Sequence, residues 1–81
     1  MHKNNVSESF FRFNRLSQTE KVELLKKTGI LMDTDEDGDN TVKLYFLYGF
    51  FVEMILCRHS KALIELIPYK NGYRVYNFLL N

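Results

Sequence analysis

Three groups of residues carry side chains that could do chemistry. Asp33, Asp35 and Asp37, followed by Gly38, stand two apart, as oxygen ligands do at positions 1, 3 and 5 of an EF-hand calcium loop with Gly at 6. Only the first half of that loop matches. Asn40 stands where an aliphatic residue should pack, and Leu44 where the bidentate Glu should be. Without that carboxylate, two of the six to eight oxygens are missing. A solvated acidic turn is the simpler reading of residues Asp33 to Asp39, and weak cation binding is its alternative.

Cys57 and His59 are two apart, with no orienting group beside them. Nucleophile–base chemistry needs that third group and an oxyanion site, and a metal centre needs more ligands. Glu53 and Glu65 interrupt apolar runs. A carboxylate pair does acid–base work when its two environments differ, so a small-molecule or minor enzymatic site built on Glu53 and Glu65 is an alternative reading. The plainer one has each facing solvent or paired with Lys43, Arg58 or Lys61. No catalytic residue, metal or cofactor is expected. Tyr48 to Met54 (YGFFVEM) superficially resembles the aromatic signature of RNA-recognition motifs. Adjacent strand residues point to opposite faces, so Phe50 and Phe51 cannot form one stacking platform. A formal charge of +1 further argues against a nucleic-acid or anionic-membrane binder.

The elements that hold these residues follow from their spacing. Residues 1–9 are polar and read as a flexible start, and residues 10–81 as one domain. Phe10, Phe11, Phe13 and Leu16 fit either a helical turn or a short extended segment. Ser17 to Glu20 has capping-box spacing. A helix over Gln18–Thr28 follows, with Lys26 and Lys27 in its last turn and Gly29 at a left-handed C′ position. Ile30 would then close over Leu25. Ile30 to Met32 begins a strand, and Asp33 to Asn40 reads as an acidic connection with a hairpin signal at Asp37-Gly38. Val42–Tyr48, Phe50–Cys57 and Ala62–Tyr69 read as further strands. Tyr48-Gly49 is preferred as a turn over a bulge in one strand of 16 residues. Pro68 marks a strand end or a sheet edge. Asn71 caps a closing helix whose stripe is Tyr73, Tyr76 and Leu80, with a strand over Tyr73–Leu80 as the alternative. The fold class is α+β: an N-terminal helix, an antiparallel meander of about four strands, and a short C-terminal helix.

The run Val42 to Met54 (VKLYFLYGFFVEM) resembles a segment of small uncharacterised bacterial proteins, which carry a pattern near L-Y-x-L-x-G-F-F-V-E-V. The helix Gln18–Thr28, Gly29 and Ile30–Met32 stand in the corresponding places. The resemblance covers residues 13 to 80. It favours the turn at Gly49 and implies no activity, cofactor or site.

With 81 residues, 46% hydrophobic, the chain makes one small domain. Cys57 is its single cysteine, so no internal disulfide is available and a reducing compartment fits. No signal peptide is visible. The most apolar stretch, Val42 to Cys57, is short for a spanning helix and contains Lys43 and Glu53. The cytoplasm is expected by elimination. Charge is segregated: residues 1–28 and 58–81 each carry a net +3, and residues 29–57 a net −5. The strands supply apolar groups to both sheet faces, more than two short helices cover. Self-association as a homodimer is expected, with the interface on Tyr45, Phe46, Phe50 and Phe51; the alternatives are that the Phe10–Phe13 segment and the last helix cover that surface within one chain, or that a ligand or foreign partner does. Which pair faces outward depends on register. The functional expectation is a small non-enzymatic interaction protein.

Overall fold

Residues 6–70 are described by the structure, a computed structural model. Two helices, α1 (Val6–Asn14) and α2 (Gln18–Thr28), precede four strands: β1 (Ile30–Asp37), β2 (Asn40–Leu47), β3 (Phe50–Cys57) and β4 (Leu63–Tyr69). The strands form one antiparallel meander in the order β1-β2-β3-β4. The α+β class therefore holds. The closing helix expected after Asn71 lies outside the described residues.

Local chemistry explains each boundary. The Ser17 hydroxyl accepts from the Glu20 amide at 3.1 Å, and the Glu20 carboxylate accepts from the Ser17 amide at 2.9 Å. These two bonds satisfy donors that the first turn of α2 leaves without partners. At the other end the expected left-handed glycine is absent. Gly29 is extended, with φ −69° and ψ 155°, and its amide donates to the Leu25 carbonyl. What demands glycine there is close approach, since a Cβ would stand 2.7 Å from the Leu25 oxygen. Ile30 does not close over Leu25. The extended backbone carries it into β1, where it is 58% exposed.

Helix α1 begins at Val6, inside the stretch expected to be flexible, and resolves the Phe10–Phe13 alternatives in favour of a helix. Val6, Phe10 and Phe13 recur at i, i+4 and i+7, and all three join the core. The turn Tyr48-Gly49 has positive φ at both positions (50° and 93°), the signature of a I′ hairpin. Gly49 also lies under α1: an added Cβ would meet Val6 Cγ2 at 2.7 Å.

The first hairpin differs from expectation. Asp33 to Asp37 belong to β1, and the turn is Gly38-Asp39, one residue later than the Asp37-Gly38 signal. Only Gly38, the first central residue, has positive φ (64°), as a II′ turn requires. Acidic residues are tolerated in this strand because β1 is an edge and every one of its residues is exposed.

Cross-strand register assigns the faces. Tyr45 pairs with Val52 and Leu47 with Phe50, and these side chains meet the helices with Phe13, Leu25 and Met54. Phe50 is fully buried, with the Phe10 and Phe13 rings each 5.5 Å away in edge-on contact. The Lys21 ammonium stands 5.6 Å from the Phe13 ring centre and covers this core from solvent.

Candidate functional site

The second sheet face carries the alternate residues. Its first cross-strand row is Ile30, Phe46, Phe51 and Tyr69, one residue from each strand. The Phe46 and Phe51 rings pack edge-on at 5.2 Å. A second row follows as Asp33, Leu44, Glu53 and Ile67, and a third as Asp35, Val42, Ile55 and Glu65. Asp37, Asn40 and Cys57 end the face on its polar side. The face is thus apolar at one end and acidic at the other. Asp33, Asp35, Asp37, Glu53 and Glu65 all belong to it, and no Lys or Arg occupies a strand position on it.

This register divides the four expected interface residues into two pairs. Tyr45 and Phe50 face the helices and are buried in the core. Phe46 and Phe51 face the other way and are half-buried. A one-residue difference in register would have exchanged the pairs.

Glu53 is 6% exposed, and its Oε1 accepts from the Tyr69 hydroxyl at 2.8 Å. Tyr69 is the partner that the sequence did not suggest, because the pairing depends on β4 bringing Tyr69 beside Phe51. Arg58, one of the expected partners, turns elsewhere. Its guanidinium donates to the Gly38 carbonyl at 3.0 Å and lies 3.4 Å from Glu36, tying the β3–β4 loop to the first turn. Glu53 and Glu65 share the face diagonally, since Glu53 pairs with Ile67 and Ile55 with Glu65. Diagonal neighbours are about 7–8 Å apart, so the two carboxyl groups do not stand side by side. A cleft of about 270 Å³ lies instead on the helix side, lined by Ser9, Arg12, Phe13, Leu16, Leu24 and Tyr48. It holds neither glutamate.

Asp33, Asp35 and Asp37 are spread along one strand. Same-face residues in a strand stand nearly 7 Å apart, whereas calcium ligands lie within about 2.6 Å of the ion. A straight edge strand spaces the three carboxylates in a row instead of a ring. Among the described residues no three His, Cys, Asp or Glu side chains come together in a metal-binding group.

Cys57 and His59 also diverge. The Cys57 sulfur accepts from the Ser60 amide at 3.5 Å, while His59 Nε2 lies 3.6 Å from Asp39. The thiol pKa is held below its ordinary value, chiefly by the hydrogen bond from the Ser60 side chain, then by the Ser60 and His59 amides. Among the described residues no helix is long and apolar enough to cross a membrane.

No family model matches this chain, and neither a curated protein nor a solved structure shows significant similarity to it.

Proposed function

We propose that the protein is a small non-enzymatic interaction protein that associates with a second copy of itself through the second sheet face. The observation that carries this reading is the row Ile30–Phe46–Phe51–Tyr69, which crosses all four strands at the apolar end of that face. Ile30, at the β1 end of the row, is 58% exposed.

The sheet edges argue for a face over an edge. Edge strands join other chains when their backbone groups are open and their side chains permit it. β1 carries Asp33, Asp35, Glu36 and Asp37, and β4 contains Pro68, which has no amide to donate. Both features oppose strand addition. The row, by contrast, is an apolar band that crosses all four strands.

Charge selects the geometry. A two-fold axis along the row sets Phe46 and Phe51 against their own counterparts. It also turns the acidic halves of the two copies away from each other, so carboxylates never oppose carboxylates. The patch is narrow compared with the about 800 Å² per partner of a stable interface, which suits a micromolar, concentration-dependent dimer. The unpaired Cys57 suits the reducing cytoplasm as the place of action.

Sedimentation equilibrium tests the reading. The full chain should show a mass that rises with concentration towards twice the monomer, and Phe51→Asp should remain monomeric with unchanged far-UV circular dichroism. A wild-type monomer at high micromolar concentration overturns it.

A further inference from the structure

The cleft on the helix side of the sheet combines one cation with an apolar lining. Ser9, Arg12 and Phe13 line it from α1, at i, i+3 and i+4, which is one stripe of a helix. Leu16, Leu24 of α2 and Tyr48 of the β2–β3 turn complete it. Phe13 is buried, and Leu16 and Leu24 are half-buried. Arg12 is the charged member of the six. Its Nη2 donates to Glu8 at 2.7 Å, and among the described residues its other N–H groups take no partner. That pair is exposed on both sides and four residues apart, so it holds the guanidinium weakly. The Lys21 ammonium, beside the Phe13 ring, adds a second positive charge nearby. Tyr48 breaks a local rule to stand in this wall. Its φ is 50°, and the first central position of a I′ turn favours Asn, Asp or Gly. A bulky residue is strained in that conformation, and such strain collects where a ligand site uses the side chain.

We propose that this cleft binds a small aromatic carboxylic acid, with its carboxylate on Arg12 and Ser9 and its ring among Phe13, Leu16, Leu24 and Tyr48. Three observations select this occupant. The first is charge. A guanidinium presents a planar fork of donors that matches a carboxylate, and the Ser9 hydroxyl is a further donor on the same helix stripe. The second is the rest of the lining, which offers two aromatic rings and two leucines and no carboxylate. One acid group on an apolar body matches that division. The third is size. The cleft holds about 270 Å³, just under the range of about 300–1,000 Å³ for sites that enclose drug-sized molecules. A single ring with a short acidic arm suits it better than a longer ligand. The site lies on the face opposite Phe46 and Phe51, so it goes beyond the dimer reading and does not rest on it.

Phenylacetate is the probe, titrated into the full-length, isotope-labelled protein and followed by the backbone amide signals. The amides of Ser9, Arg12, Leu16, Leu24 and Tyr48 should move together and saturate in the millimolar range or below. Phenethylamine, with the same ring and the opposite charge, should bind at least about tenfold more weakly, because it puts an ammonium against Arg12. Arg12→Gln should weaken phenylacetate about tenfold, as the loss of a hydrogen bond to a charged group does, and Arg12→Lys should recover part of that loss. Far-UV circular dichroism should not change in either variant, since the Arg12 side chain is exposed. Tyr48→Asn gives the turn its favoured residue and removes the wall, so it should weaken binding several-fold without lowering the urea midpoint. The proposal is overturned by any of four results: no saturable shifts with phenylacetate at tens of millimolar, shifts confined to the second sheet face, equal binding of phenethylamine, or full affinity in Arg12→Gln. Full affinity in Tyr48→Asn, or a lower midpoint with it, overturns the assignment of Tyr48 to the site. Tighter binding by a tetrapeptide ending in phenylalanine overturns the free acid as the occupant.

Discussion

Replacing Phe50 with Leu isolates the energetic contribution of the aromatic cluster between helix α1 and the sheet. Leucine fills most of the site and keeps the strand apolar, but it removes two edge-on ring contacts, with Phe10 and with Phe13. Each such pair contributes about 0.5–1.5 kcal/mol beyond the area buried. The expected loss is therefore about 1–3 kcal/mol, before any small cavity adds to it. At about 0.05–0.15 kcal/mol per residue, a chain of this length has roughly 4–12 kcal/mol in total. Phe50→Leu should thus leave a folded protein with a clearly lower midpoint, by about 4–8 °C for each kcal/mol lost. Urea titration followed by circular dichroism measures the loss, and the slope should not change, because the same surface unfolds. Phe51→Leu, one residue along on the other face, removes one ring contact among the described residues, with Phe46, and should cost less. The reasoning is refuted if Phe50→Leu costs under about 0.5 kcal/mol, half of the smallest sum for two ring pairs, or if Phe51→Leu costs more.

Three further outcomes follow from local geometry. Ser17→Ala removes the cap of α2 and should cost about 0.5–2 kcal/mol by denaturant titration, with Thr at the same position recovering most of it. Gly49→Ala meets both a positive φ and the Val6 side chain, whereas Gly38→Ala meets a positive φ alone with open space around it; each should lose about 1–2 kcal/mol from the backbone, and Gly49→Ala measurably more. Ser60→Ala should move the alkylation–pH profile of Cys57 to higher pH, because the Ser60 hydroxyl gives the largest stabilisation of the thiolate; a profile that stays in place or moves down would remove that assignment.

Much of the fold is legible in the residues, and the exceptions have physical causes. Helix α2 starts and stops where its cap and glycine indicate, because both signals are local and strong. The Tyr48-Gly49 turn is readable for the same reason. Helix α1 carries a readable i, i+4, i+7 stripe that begins at Val6, but the polar residues His2 to Asn5 before it and Ser7 to Ser9 after it obscure its start. The acidic run is harder. Asp and Glu disfavour strands, so Asp33 to Asp37 look like a loop until β2 supplies a partner and the edge position leaves their side chains in water. Gly29 shows the limit of composition: the residue type signals a helix end, but contact with the Leu25 carbonyl, not a left-handed backbone, requires it. Of the four residues expected at an interface, Tyr45 and Phe50 lie in the core and Phe46 and Phe51 on the second face, a division that only register supplies. The Glu53–Tyr69 pair needs the whole path from β3 through the β3–β4 loop, and no local pattern contains that information.

The distribution of carboxylates on the second face bears on how an apolar surface is kept specific. A bare row of aromatic and aliphatic groups would pair with itself in many offsets, since burial of apolar area has no direction. Here the neighbouring rows contain Asp33, Glu53, Asp35 and Glu65. Sliding a second copy along the strands by one row would press carboxylates onto apolar groups or onto each other, and both arrangements carry desolvation or repulsion costs. Only the offset that superposes the row on itself avoids them. In the proposed dimer the carboxylates therefore separate the self-superposed contact from every other offset. Replacing Asp33 and Asp35 with Asn together should relax this separation, yielding higher-order association in sedimentation experiments at concentrations where the parent is monomer and dimer. If the double variant keeps the parent's distribution of species, the carboxylates do not set the register, and the apolar row alone defines the contact.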